Sequence, residues 1–204
     1  EARGGEVKGL KQLFSSEVQI FTIDKESSDR RKVQPDFLVE IGYDDIQPED
    51  IQMLRETLNL SEVAADATHS LAYEFGTRNW LKEFLALRGK DSIIHLAEKI
   101  GVNASALASL HNRLLRLVRL PFVKESGGNN SVKEIIMRLN KGINVVLEFG
   151  RYGNDFSAYI LVANLLTRRI YGQYATSKEE AMGDRDKEPI PLVITIEEAH
   201  KFLS

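Results

Sequence analysis

The stretch Ile143-Asn144-Val145-Val146-Leu147-Glu148-Phe149, bounded by Gly142 and Gly150, decides how the rest of the chain is read. A short apolar run between two glycines is the pattern of a strand buried in a parallel sheet. An amphipathic helix is expected next, from about Phe156 through Ile160, Ala163, Leu166 and Ile170 to Tyr174. A hydrophilic stretch over residues 175–188 then leads to Pro189 and a second apolar run, Ile190-Pro191-Leu192-Val193-Ile194-Thr195-Ile196. Strand, crossover helix and strand together predict a parallel α/β sheet, since parallel neighbours cannot be joined by a tight hairpin.

Upstream, residues 17–23 (Glu-Val-Gln-Ile-Phe-Thr-Ile) have the β-branched and aromatic content of a strand. Residues 24–34 read as a loop and residues 37–41 as a second short strand. Gln47-Pro48-Glu49-Asp50 is a helix start, with Pro at the first helical position and acids where the helix dipole favours them. That helix is expected over residues 48–58. Residues 60–139 are helical in pattern, with apolar side chains three and four apart at Leu81, Phe84, Leu85, at Ile93, Leu96, Ala97, Ile100, and at Leu107, Leu110, Leu114, Leu117. Gly89, Gly101 and the cluster Gly127-Gly128-Asn129-Asn130 mark breaks between helices. The expected organisation is a first part of an α/β core over 1–47, a helical insertion over 48–140, and a second part of the core over 141–204.

Composition bounds the chemistry. The chain has 204 residues with 27 Lys+Arg against 30 Asp+Glu, a net charge of −3, which excludes a wholly basic nucleic-acid-coating protein. A hydrophobic content of 43% excludes a highly charged disordered chain. Cysteine is absent, so disulfide scaffolds, thiolate zinc sites and thiol nucleophiles are excluded together. No apolar run approaches the roughly 18–20 residues needed to cross a bilayer, and residues 1–6 lack the apolar region of a signal peptide, so a cytoplasmic location without membrane contact is expected. The first residue is Glu1 rather than Met, and the chain is expected to be a piece of a longer one.

The apolar run Leu192-Val193-Ile194-Thr195-Ile196 ends abruptly in Glu197-Glu198-Ala199-His200. Two carboxylates at the carboxyl end of a buried strand are costly to desolvate, and ligands of open α/β sheets bind at that edge. In phosphoryl-transfer enzymes such a position, the Walker B arrangement, holds Mg²⁺ through the first acid while the second orients the attacking water. A strand ending in a solvated helix cap is the plainer alternative. Residues Ile194-Thr195-Ile196-Glu197-Glu198-Ala199-His200-Lys201-Phe202-Leu203 resemble the Walker B segment of HerA-type ATPases, in the HerA/FtsK superfamily of hexameric DNA translocases. The strand at 143–149, its helix and the helical insertion are similar in order and length to the middle of that ATPase domain.

The resemblance implies a partial RecA-like core that binds ATP and Mg²⁺ and couples hydrolysis to movement along double-stranded DNA, in a homo-oligomeric ring, often a hexamer, with a nuclease partner in DNA-end processing. It implies Glu197 as the metal-side acid and Glu198 as the catalytic acid that activates water. Where many relatives carry Asp first, this sequence has Glu197, whose extra methylene lengthens the reach to the metal. His200 is a candidate sensor of the γ-phosphate or nucleic acid, or else a cap or packing histidine. The Asp-Glu-Ala-His box of another helicase superfamily is a weaker match, because the long helical stretch precedes Glu197 where that family has its other motifs.

A phosphate-binding loop needs two glycines five apart followed by Lys-Ser/Thr. Gly4 and Gly9 have the spacing, but Leu10-Lys11 follow, so they form no Walker A element; the resemblance implies that element upstream of Glu1 and the arginine finger downstream of Ser204. Without them this chain alone is not expected to hydrolyse ATP. Arg113, Arg116, Arg119 and Lys124 recur along a stretch free of acids, which suits nucleic-acid phosphates or, equally, a solvated helix face paired with acids elsewhere. Arg168-Arg169 on the crossover helix suits an inter-subunit contact or an ordinary surface. A competing reading of the whole chain is a non-catalytic helical module, or a degenerate ATPase domain, that binds a partner protein.

Overall fold

The computed structural model describes residues 9–126 and 130–197. In chain order the elements are α1 (Leu10–Leu13), β1 (Val18–Thr22), α2 (Lys25–Arg30), β2 (Phe37–Leu38), β3 (Ile41–Gly42), a 3₁₀ turn (Tyr43–Asp45), α3 (Pro48–Met53), α4 (Glu62–Phe75), α5 (Trp80–Ala86), α6 (Lys90–Ile100), α7 (Ala104–Leu117), β4 (Val123–Lys124), α8 (Ser131–Leu139), β5 (Asn144–Glu148), a second 3₁₀ turn (Gly150–Asn154) and α9 (Phe156–Ala181). The fold is mixed α/β with a small parallel sheet and many helices.

The sheet has the order β2-β1-β5, and every pairing in it is parallel. Residues 18–22 of β1 lie opposite residues 144–148 of β5 along their whole length. Because parallel partners need crossovers, the helices between β1 and β5 fold as one connection. A second parallel pair, β3 with β4, ties the start of that connection to its later part through Ile41 opposite Val123.

The helical stripes fall where the spacing predicts. Leu107, Leu110, Leu114 and Leu117 of α7 are buried, as are Leu81 and Phe84 of α5 and Ile93, Leu96 and Ala97 of α6. Pro48 opens α3, and Gly101 ends α6 in the left-handed conformation at φ +71°, which only Gly adopts without strain. One continuous cluster of buried side chains runs from Phe21 on β1 through Trp80 and Leu110 to Leu161 on α9. Trp80 is fully buried and its indole N–H donates to the Ile46 carbonyl at 3.0 Å, so the ring fills the core without stranding its one polar atom.

Three expectations are corrected. Residues 24–34 are not all loop, because Asp24 caps the short helix α2 through the Ser27 N–H. The crossover helix does not stop near Tyr174 but runs to Ala181, since Ser177, Lys178, Glu179 and Glu180 can extend a helix into solvent without an apolar face. Residues 190–196 are not a strand. They have no regular structure, Val193 is 85% exposed, and Ile190, Ile194 and Ile196 are exposed with it, while Leu192 packs against the core. A parallel strand is stable only when both its faces are covered. Here the apolar run lacks that cover, and Pro191 has no N–H to offer a ladder.

Two buried polar groups generate tests. Asp50 of α3 is 1% exposed and accepts from the Gln47 N–H (2.8 Å), Asn164 (3.0 Å) and Arg168 (2.7 Å), joining α3 to α9. Burial pushes its carboxyl above the ordinary range against the pull of the Gln47 N–H and Arg168. Removing one partner of a fully buried pair costs about 3–5 kcal/mol, but Arg168 keeps water contact, so Asp50→Ala is expected to cost about 2–3 kcal/mol in urea unfolding. His111 of α7 packs edge-on against Phe84 at 5.1 Å, and its Nε2 is buried with no partner among the described residues. Burial, reinforced by Arg88, lowers its pKa below the usual 6.5. The unfolded chain therefore takes up the proton first, and stability present above pH 6.5 is lost as pH falls through and below it. Thermal unfolding of His111→Phe is expected to lose this component, so the midpoint difference from the parent shifts in the variant's favour as pH drops.

Candidate functional site

The carboxyl ends of β1 and β5 stand side by side, with Thr22 opposite Glu148, and this is the edge at which α/β sheets bind ligands. The Thr22 hydroxyl donates to the Glu148 carbonyl at 3.3 Å and accepts from the Asp24 N–H at 3.0 Å. Asp24, only 3% exposed, has both oxygens engaged by backbone: Oδ1 by Ser27 N–H (3.1 Å) and Oδ2 by Arg151 N–H (2.9 Å). The buried carboxylate thus fastens the turn after β5 to the end of β1. Gly150 permits the approach, with φ +55° and a position where an added Cβ would stand 2.7 Å from Asp24.

Above this latch lies a ring of paired charges. Arg151 bonds Glu26 at 2.7 Å, Arg30 bonds Glu26 as well, and Arg31 bonds Glu148 at 2.9 Å. The hydrogen bonds from Arg30 and Arg151 hold the Glu26 carboxyl below its usual range. Phe149, the residue after β5, stacks on Tyr159 of α9 at 4.2 Å, and the Tyr159 hydroxyl donates to the Glu197 carbonyl at 3.0 Å. Glu197 is thereby held on the carboxyl side of β5, exposed and in a turn. Glu198 and His200 lie outside the described residues.

Asp24, Glu26, Arg31, Glu148 and Arg151 had no role in the reading of the sequence. The signal for Asp24 was available: Val18-Gln19-Ile20-Phe21-Thr22-Ile23 runs into Asp24 as Leu192 to Ile196 runs into Glu197. Among the described residues no group of three or more His, Asp or Glu side chains could hold a metal ion. Asp24 accepts from two backbone N–H groups and Glu148 from Arg31, whereas the Glu197 carboxylate has no hydrogen-bond or ion-pair partner among the described residues. Mg²⁺ is commonly held by one or two carboxylates together with substrate phosphates rather than by an all-protein cage.

The cationic candidates divide. Arg113 and Arg116 line a groove of 680 Å³ between α6 and α7, Arg119 lies in the turn beyond α7, and Lys124 sits on β4, 3.9 Å from Glu40. Arg168 and Arg169 pair within the chain, with Asp50 at 2.7 Å and with Asp45 at 2.9 Å, and both stay partly exposed. No helix among the described residues is long and apolar enough to cross a membrane. No protein-family model, curated protein or solved structure matches the chain.

Gly150→Ala is expected to destabilise the protein by more than about 1 kcal/mol, the lower range for a non-glycine residue forced into the left-handed region, with the Asp24 clash added. Hydrogen exchange is expected to localise the loss to the Arg151 amide and the first turn of α2. A variant as stable as the parent would show that the latch contributes nothing.

Proposed function

We propose that this chain is part of a HerA-type ATPase, with ATP and Mg²⁺ as cofactors, that couples hydrolysis to translocation on double-stranded DNA. The reading rests on one geometric observation beside the sequence resemblance: through Phe149 and Tyr159, the segment that runs up to Glu197 is tied to the carboxyl side of the parallel pair β1–β5. Its finer form is a RecA-like core built on the parallel strands β2, β1 and β5.

Bound nucleotide with its Mg²⁺ would supply the phosphoryl group and neutralise its developing charge. Glu197 would hold the metal side, reaching one methylene further than Asp. Glu198 would orient the attacking water and accept its proton, and His200 would report the state of the γ-phosphate. Asp24, Arg151 and Glu26 would keep the two strand ends at a fixed separation beneath the nucleotide. The phosphate-binding loop is not in this sequence, so the reading requires it from a longer chain. A ring of identical subunits, an arginine finger from a neighbour and a nuclease partner belong to the same proposal.

In the protein with its phosphate-binding loop, Glu198→Gln is expected to lower kcat by about 10²–10⁴, the range for a general base, with nucleotide binding retained. Steady-state turnover and equilibrium binding separate the two effects, and a variant that still turns over would remove Glu198 from its role. Exposure of Val193, Ile194 and Ile196 favours a second reading, a non-catalytic module whose apolar segment docks on a partner protein. Failure of the loop-containing protein to bind ATP would decide for it.

A further inference from the structure

The groove between α6 and α7 is walled on the α7 side by small residues. Ala104, Ser105, Ala108 and Ser109 leave it open, while Ile93 and Ile94 of α6 form its apolar floor. Lys90, Arg113 and Arg116 stand at its rim with Asn112, and no carboxylate lines it. Among the described residues no acid lies within ion-pair distance of Lys90, Arg113, Arg116 or Arg119, whereas Lys82, Lys99 and Lys124 each have one. Residues 90–119 contain five Lys or Arg against two Asp or Glu in a chain whose net charge is −3. The cationic face is therefore a local departure from the chain's own balance, and of the five only Lys99, paired with Glu74, is compensated among the described residues.

We propose that this groove binds the phosphate backbone of duplex DNA. The polar groups on its rim and walls are cations, hydroxyls and one amide, all able to donate, and a phosphodiester presents acceptors only. Arg113 and Arg116 are three residues apart on α7, about 4.5 Å along the helix axis, a spacing that flexible guanidinium groups can match to successive phosphates, and Arg119 follows in the turn beyond the helix. An acidic peptide would meet the same charges, but it would gain most from deep apolar pockets, and the Ala and Ser wall offers a shallow trough instead.

This inference takes duplex DNA as the polymer from the proposed function but not the hydrolysis. Binding measured without nucleotide can therefore succeed or fail independently of turnover. The test is fluorescence anisotropy of a labelled short duplex, titrated with the protein from low salt to about 200 mM. The slope of log K against log salt is expected to become shallower by about 1 for Arg116→Gln, at an exposed position, and by about 2 for Arg113→Gln with Arg116→Gln. Arg116→Lys is expected to keep the parent slope, and Lys178→Gln, on the exposed end of α9, to leave binding unchanged. Circular dichroism checks that each variant is folded. A double variant with the parent slope, no duplex binding at low salt, or displacement of the duplex by polyglutamate at equal charge concentration would each overturn the assignment.

Discussion

The parallel pairing of β1 with β5 is the constraint on which the rest depends. Thr22 and Glu148 are 126 residues apart in sequence, yet they are bonded across the end of the sheet. Closing so long a connection costs conformational entropy before any contact between the strands compensates it. The helical insertion offsets that cost by packing on itself and on the sheet, so that one cluster joins Phe21 to Trp80 and Leu161. The strand ends can then be held in fixed relation, which a site at a sheet edge requires.

Two buried carboxylates serve this arrangement in different ways. Asp50 lies between α3 and α9 and is neutralised by Arg168, so it sets how the insertion sits on the last long helix. Asp24 takes its hydrogen bonds chiefly from backbone N–H groups and sets how the turn after β5 meets β1. The first fixes two helices in place. The second fixes a turn, at the edge where Glu197 is also held.

Much of this was legible where burial and local pattern agree. The runs at 17–23 and 143–149 contain β1 and β5, Pro48 marks the start of α3, and the leucines of α7 form the buried stripe their spacing predicts. Where tertiary context decides, the sequence was mute or misleading. Helix α2 has no apolar period, because it is held by the Asp24 cap and by Ser28 buried against Thr22. Two-residue strands such as β4 carry no periodicity at all. Residues 190–196 have the composition of a buried strand without the cover that would make them one. The Asp24 latch needed two segments far apart in sequence to be seen together, and only its first half followed a rule visible in the chain.

The outer edge of β5 and the uncovered run Val193-Ile194-Thr195-Ile196 have a consequence for solubility. An edge strand offers a row of backbone groups that any extended chain can pair with, and a β-branched segment without charge is the kind that does so. At high concentration the same two features, one on each of two molecules, are complementary in kind and would favour pairing. The charged residues that flank the run, Asp184 to Glu188 with both signs before it and Glu197 after it, are of the kind that serve as gatekeepers beside an apolar segment. Acids at the end of an apolar run thus protect the chain from itself as well as marking a sheet edge.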